Sequence, residues 1–246
     1  MSIEQTVSKL DEMKMFGMSG SYTERRKKPD HKDLSFDEFF GLVVDDEYVC
    51  RKNKRLKRLL KRAKFKISAA CLEDVDYKQQ RGLLKTHILN LQNISWLENH
   101  QNILITGPTG VGKTYLACAF GTWACRNGFT ASYYRWPRLF GDMHASRGDG
   151  SYLKHLKKLS KSELLVIDDF GLNPLSDMDR KDFLEIVEDR HMAGSIIITS
   201  QLPIKNWHEF IGEPTIADAV IDRLLNMSYK FEMRGGSMRK KQKDIE

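Results

Sequence analysis

The run Gly107-Pro108-Thr109-Gly110-Val111-Gly112-Lys113-Thr114 leaves the chain around it little choice of fold. Its spacing, G-x-x-x-x-G-K-[ST], works between a strand and the first turn of a helix. Glycines let the backbone curl until successive N–H groups point inward, and the helix N-terminus adds positive potential at the same spot. Both flanks fit. Asn102–Thr106 reads as a short apolar strand, and a helix is expected from Lys113 to about Arg126, ended by Asn127-Gly128. A loop of this kind cradles nucleotide phosphates. Lys113 is expected to reach the β- and γ-phosphates and Thr114 to hold magnesium, which makes the expected cofactors ATP and Mg2+. Gly107 to Thr114, with Tyr115 next in line, form the expected nucleotide contact.

The pattern beyond the loop alternates. Thr130–Arg135 reads as a second strand, Pro137 suits the first turn of a short helix, and Leu164-Leu165-Val166-Ile167-Asp168 is a third strand. A long helix over 177–192 stops before Gly194, Ser195–Thr199 is a fourth strand, Pro214 to about Asn226 is helical, and Met227–Met233 is a fifth strand. Continuous apolar strands separated by helices predict an α/β fold, a parallel sheet covered on both faces. The third strand carries Asp168 and Asp169 to its C-terminal edge, where such sheets bind ligands. Asp168 suits a carboxylate that organises magnesium, acting through the ion's waters. Asp169 is the candidate for polarising the attacking water, although it is one methylene shorter than the glutamate that many such ATPases carry. Ser200 and Gln201, at the end of the fourth strand, are candidates to lie beside the γ-phosphate and sense hydrolysis. Arg223 is the favoured arginine to be supplied across a subunit interface to the transferring phosphoryl group, with Arg190 as the alternative.

Residues 1–80 have another texture, polar and helical, and are expected to form a small all-helical domain ahead of an ATPase core at 81–246. Ser35 with Glu38 three residues later forms a capping box for one helix. Residues 51–66 contain ten Lys or Arg and no acid. Leu56, Leu59, Leu60, Ala63 and Ile67 fall at helical spacing there, so one face is apolar and the rest cationic. The net charge of +7 and pI near 9.1 favour a polyanionic partner. There is no apolar stretch of membrane-spanning length and no secretory leader pattern, so a cytoplasmic protein without membrane attachment is expected. The four cysteines form no C-x-x-C pair, and the seven histidines are scattered, so no structural metal is expected. Cys118 and Cys125 share one helical face and read as core residues.

Several further groups resemble the IstB-like ATP-binding helper proteins of insertion sequences, a family close to the DnaC-type helicase loaders within the AAA+ ATPases. They are Leu34-Ser35-Phe36, Arg51-Lys52-Asn53, Gly82-Leu83, Asp168-Asp169-Phe170-Gly171, Thr199-Ser200-Gln201-Leu202-Pro203, Trp207-His208-Glu209, Pro214-Thr215-Ile216-Ala217-Asp218-Ala219, Asp222-Arg223-Leu224 and Ser237-Met238-Arg239-Lys240. The resemblance implies a P-loop AAA+ core that assembles on duplex DNA with ATP and assists a partner transposase. It implies a homo-oligomer with ATP sites at subunit interfaces, and an acidic pair like Asp168-Asp169 as the normal form. Too little chain follows the fifth strand for the full C-terminal lid of general AAA+ proteins, and Arg239 is a candidate replacement for the lid's sensor arginine. Gly236 stands where the family suggests a glutamate. The expected phosphate contacts are Arg51, Lys52, Lys54, Arg55, Arg58, Lys61 and Arg62 on the cationic helix. In initiator-type ATPases the region before the acidic strand also touches DNA, which adds Arg135, Arg138 and Lys157. Three alternatives remain at this level: a replicative helicase loader, an ATP-gated DNA scaffold that hardly hydrolyses, and a small-molecule kinase, for which no substrate lid is visible.

Overall fold

The computed structural model describes residues 2–27, 34–77 and 81–238, which divide into two compact units at Arg58/Leu59. The first unit holds α1 (Ile3–Glu12), α2 (Phe16–Lys27) and most of α3 (Phe36–Ala63). Ser35 and Glu38 cap α3 reciprocally, as their spacing predicts: the Ser35 N–H donates to Glu38 Oε2 at 2.9 Å and the Glu38 N–H to Ser35 Oγ at 3.3 Å. Glu47 fastens α2 to α3. Its carboxylate accepts the N–H groups of Gly17 and Met18 at 2.7 and 3.0 Å, at the positive end of α2. Burial opposes the charge on Glu47, but Arg51 and those two amides outweigh it and hold the carboxyl below its usual range. Gly17 is required by the crossing, because a Cβ there would lie 2.7 Å from Glu47 Cα.

The second unit is a five-stranded sheet, parallel throughout, in the order β2-β3-β4-β1-β5. The strands are β1 (Asn102–Thr106), β2 (Ala131–Arg135), β3 (Leu164–Phe170), β4 (Ser195–Ser200) and β5 (Ser228–Glu232). The inner strands β1, β3 and β4 are almost wholly buried, which is why their sequences run apolar without alternation. Alternate residues serve opposite faces. Leu104, Leu165, Ile167, Ile196 and Ile198 join a core with α7 (Trp136–Gly148), α8 (Tyr152–Ser160), α9 (Asp177–Arg190), α10 (Trp207–Ile211) and α11 (Pro214–Leu225). On the other face lies α6 (Lys113–Arg126), buried along most of its length, with Phe120 against Trp96 and Phe231. Cys118 and Cys125 are among its buried residues, and burial pushes their thiols up to about 11 and about 12.

The unit boundary falls 22 residues before the expected 80/81. The reason is packing. Leu59, Ala63, Phe65, Ala70, Leu72 and Val75 are buried, and Phe65 occupies the space that a Cβ at Gly121 of α6 would need. Two short helices, Lys85–Asn90 (α4) and Ser95–Glu98 (α5), then lead into β1. After β5 the chain turns back over the Gly-rich loop: the Met233 N–H donates to the Thr106 carbonyl at 2.7 Å and the Met238 N–H to the Gly110 carbonyl at 2.9 Å. No helical lid follows β5 among the described residues, and Arg239 lies outside them.

Candidate nucleotide-binding site

The loop between β1 and α6 is held open by backbone conformations that only glycine adopts without strain. Gly107, Gly110 and Gly112 have φ of +145°, +86° and +102°. A side chain at Gly107 would also collide with the Met233 carbonyl, so the returning C-terminal segment itself demands glycine there. Lys113 is largely buried, and its Nζ donates to the carbonyls of Gly107 and Pro108 at 2.7 and 2.9 Å, lying along the loop whose amides it supplements.

Strand order brings the remaining groups together. Because β4 lies between β1 and β3, its end stands between the Gly-rich loop and the acidic pair. Asp168 is fully buried and its carboxylate accepts from three hydroxyls: Thr114 at 2.9 and 3.1 Å, Thr199 at 2.6 Å and Tyr133 at 2.6 Å. Burial, and then the Asp168 carboxylate itself, push the Tyr133 phenol far above its usual range, so Tyr133 stays protonated and donates to Asp168. This set fits magnesium as part of a nucleotide complex. One hydroxyl and one carboxylate meet beneath the loop, and Thr114 and Asp168 would hold the ion together with phosphate oxygens and water.

Asp169 reaches the same cleft through a bulge. The register between β3 and β4 shifts between Ile167 and Phe170, and Asp169 takes φ +63°. Consecutive residues of an undisturbed strand would face opposite sides; the bulge returns Asp169 to the nucleotide side. Its N–H donates to Thr199 Oγ1 at 3.0 Å, and Arg135 holds its carboxylate through Nε and Nη2 at 3.1 and 2.9 Å. Asp169, Lys113, Thr114, Tyr115, Thr109 and Gln201 line one cleft of about 730 Å³.

The other expected site residues separate. Gln201 Oε1 accepts from Thr109 Oγ1 at 2.7 Å, tying the end of β4 to the loop. Ser200 does not enter the cleft: it is buried, donating to the Phe170 carbonyl at 2.8 Å and accepting the Leu202 N–H at 3.0 Å. Its hydroxyl shapes the turn, and Thr199 is the β4 residue that touches the acidic pair. Arg190 is also corrected. Its guanidinium is buried and donates to the carbonyls of Leu159, Ser162, Glu163 and Ser195 at 2.7–3.3 Å, so it cannot reach a neighbouring subunit. Burial lowers Arg190 to about 10, which still leaves it charged at neutral pH. Arg223 sits partly exposed on α11, donating to Glu188 Oε1 at 2.9 Å. The adjoining turn of α11 bonds Asn102 at the start of β1, so the length of that strand, roughly 17 Å, separates it from its own Gly-rich loop.

A smaller cleft of about 190 Å³ shares Gly112 and Tyr115 with the first and is otherwise lined by residues that include Val75, Leu83, Leu116, Met233 and Arg81. Arg81 is buried and donates to the Val111 carbonyl at 2.9 Å and to the Asp76 carbonyl. The sequence reading missed this cleft because its walls come from a loop without periodicity and from the strand-to-tail junction. It also missed Tyr133 and Thr199 as partners of Asp168; the polar end of β4 was the available signal for the second.

Among the expected phosphate contacts, Arg51 donates to Glu47 at 2.6 Å and Lys54 lies 4.5 Å from the Phe16 ring centroid, while Lys52, Arg55, Arg58, Lys61 and Arg62 are exposed on α3. Arg138 and Lys157 are exposed on α7 and α8.

The family described as IstB-like ATP binding protein matches residues 8–245. The chain belongs to that family. An insertion sequence ATP-binding protein of Sinorhizobium fredii is 42% identical over 238 residues, covering 97% of each chain. Among solved structures, DnaI superposes with a TM-score of 0.57 at 21% identity, covering 72% of this chain and 93% of that one. The DnaC helicase loader gives 0.55 at 21%, covering 67% and 96%. These two share the AAA+ P-loop fold with this IstB-like chain. No helix among its described residues is long and apolar enough to cross a membrane.

Proposed function

We propose that this IstB-like protein hydrolyses ATP while assembled with further copies of itself on duplex DNA, in the service of a partner transposase. The observation that carries the ATPase part is the meeting of Thr114 and Asp168 beneath the Gly-rich loop, with Asp169 turned by the bulge into the same cleft. Lys113 and the loop amides bind the β- and γ-phosphates, and the cleft at Val75, Leu83 and Met233 takes the base. Thr114 and Asp168 would hold magnesium, which would supply positive charge to the phosphates. Asp169 accepts a hydrogen bond from the attacking water and aims it, while Gln201, tied to Thr109, sits where loss of the γ-phosphate is felt.

Arg223 supports the assembly part of the reading. It lies too far from its own loop to serve it, but it is partly exposed, which suits a residue offered to the next subunit's nucleotide. The insertion-sequence relative supports the transposition context, and the basic residues of α3, α7 and α8 support duplex DNA as the polyanion. One observation favours a second reading, an ATP-gated scaffold with little turnover: Arg135 engages Asp169, the residue assigned to the water.

ATP turnover with and without duplex DNA, with particle size followed in the same samples, tests the proposal. Turnover and size should both rise on adding DNA and ATP together. Lys113→Ala should abolish both responses, because the β/γ-phosphate charge loses its cationic partner. Unchanged ATP affinity and assembly in that variant would refute the site.

A further inference from the structure

Strand β2 is an edge of the sheet, and its outer side is the floor of a groove. One end of the groove, of about 350 Å³, is lined by residues 130–132, by Arg62, and by Lys154, Lys157 and Lys158 of α8. The other end, of about 330 Å³, is lined by residues 132–135, with Arg62 and Lys66 on one wall and Arg138 and Lys158 on the other. Arg62, Ser132 and Lys158 line both, so the two form a single basic groove. Asp142 is the only acid among the described residues that line it. Successive side chains of a strand point to opposite faces, so a lining by every residue of 130–135 means that the backbone edge itself is the floor.

The alternation of a parallel ladder decides which backbone groups face the groove. The Leu164 N–H donates to the Thr130 carbonyl at 3.0 Å, which turns Thr130, Ser132 and Tyr134 toward β3 and the residues between them outward. The Ala131 N–H is turned to the Cys125 thiol, and the Arg135 carbonyl opens α7. What remains at the floor is the Ala131 carbonyl, the N–H and carbonyl of Tyr133, and the Arg135 N–H. None of these bonds another backbone group outside the ladder among the described residues. Acceptors and donors therefore alternate. The backbone of DNA offers acceptors only and would leave both carbonyls unmatched, whereas an extended peptide supplies N–H and C=O in the same alternation. Cations placed on an edge strand often serve to repel other strands. Here they stand on the two walls, around open volume, so a basic strand is repelled and an acidic one is drawn in. Side chains of an added strand would point alternately to the two walls, and both walls are cationic, which matches a run of acids.

We propose that the β2 groove binds an acidic, extended segment of a protein partner by strand addition to β2. Main-chain bonds to Ala131, Tyr133 and Arg135 hold the segment, and Arg62, Lys154, Lys158 and Arg138 select its carboxylates. The inference goes beyond the function proposed above: it assigns the groove's α7 and α8 cations to a protein, and leaves duplex DNA to the exposed cations of α3 outside the groove.

The test uses the full-length chain and a short, end-blocked, fluorescent peptide of alternating Glu and Thr, with binding followed by anisotropy. The peptide should bind saturably, and a Lys–Thr peptide of the same length should not. The Glu–Thr peptide N-methylated at every residue keeps its charge but has no N–H for the two carbonyls, and should bind about tenfold more weakly or worse. Lys154→Glu combined with Lys158→Glu should weaken the unmodified peptide by about tenfold or more, because two charge-assisted contacts become repulsive. Affinity for a short duplex should hold in that variant. Lys154 and Lys158 are exposed, so the fold should survive; if it does not, Arg138→Glu, exposed on α7, should give the same pattern. No saturable binding of the Glu–Thr peptide, or equal binding of its N-methylated form, would overturn the proposal. So would the reverse pattern, duplex binding weakened and peptide binding intact, which would make the groove a nucleic-acid site. The peptide measurement needs neither turnover nor DNA, so its failure is separate from a failure of the function proposed above.

Discussion

Asp168 and Asp169 are adjacent in the chain, yet their surroundings divide their labour. Asp168 is held by three hydroxyls beneath the loop, which suits it to the magnesium role rather than to aiming the attacking water. Asp169 is partly exposed, faces the cleft, and has its backbone fixed in a left-handed conformation that costs on the order of 1–3 kcal/mol. Such strain persists where the surroundings impose it, here the register shift between β3 and β4. Asp169→Asn keeps shape and removes the charge that aims water. Turnover should fall about a hundredfold or more, the usual scale for a positioned base. ATP and DNA binding should persist, because Lys113, Thr114 and Asp168 are untouched. Steady-state kinetics checks this: kcat should drop with KM nearly constant, and an unaltered kcat would shift the role to Gln201. The sequence made the pair visible as the acidic end of an apolar strand. It did not reveal the bulge, because aspartate tolerates many backbone conformations and the register shift depends on the neighbouring strand. Nor could it separate Ser200 from Thr199, which differ in which face of β4 they occupy.

Elements were legible in proportion to their burial and periodicity. The inner strands announced themselves as apolar runs, and α3 through its capping box and its amphipathic face. Residues 64–77 did not, because they form a mostly irregular segment whose attachment to the sheet unit rests on single side chains such as Phe65 and Leu72. That attachment is testable at Gly121, which leaves room on α6 for the Phe65 ring. Gly121→Ala improves helix propensity by roughly 1 kcal/mol but forces the ring to move, an overpacking cost of typically about 1–3 kcal/mol. The net expectation is a lower melting temperature for Gly121→Ala. Phe65→Leu removes the ring and weakens packing by itself, but the double variant should be more stable than the sum of the two predicts. Thermal denaturation of all four proteins closes the cycle. Strictly additive destabilisation would mean that Phe65 and Gly121 do not constrain each other, and the segment's place in the second unit would need another cause.

At the scale of the whole molecule, the cationic face of α3 up to Arg62 shares no residue with the nucleotide cleft, so its charge can be changed without touching ATP binding. Arg55 and Arg58 are exposed on α3 in the first unit, and Arg62 lines the basic groove of the second. Arg51 is a poor probe, because its partner Glu47 also anchors α2, and reversing its charge would disturb that contact. Changing Arg55, Arg58 and Arg62 to glutamate leaves the buried Leu59 and Ala63 in place, so α3 should keep its fold. If these arginines grip phosphates, DNA binding should weaken for all sequences alike, since backbone contacts position a protein without reading bases. Every phosphate released from its arginine should flatten the slope of log affinity against log salt by about 0.9, through counterion release. Reversing all three would then change the slope by about 2.7. ATP affinity should be unaffected, because Lys113 and Thr114 belong to another part of the molecule. Salt titrations of both proteins on a fixed duplex, in saturating non-hydrolysable analogue, measure the slopes. Two coincident lines would mean that the cationic face of α3 is only solvated, leaving Arg138 and the α8 lysines as the groove's phosphate ligands. A slope change of only about 0.9 would mean that one of the three arginines carries the grip, and the three single reversals would identify it.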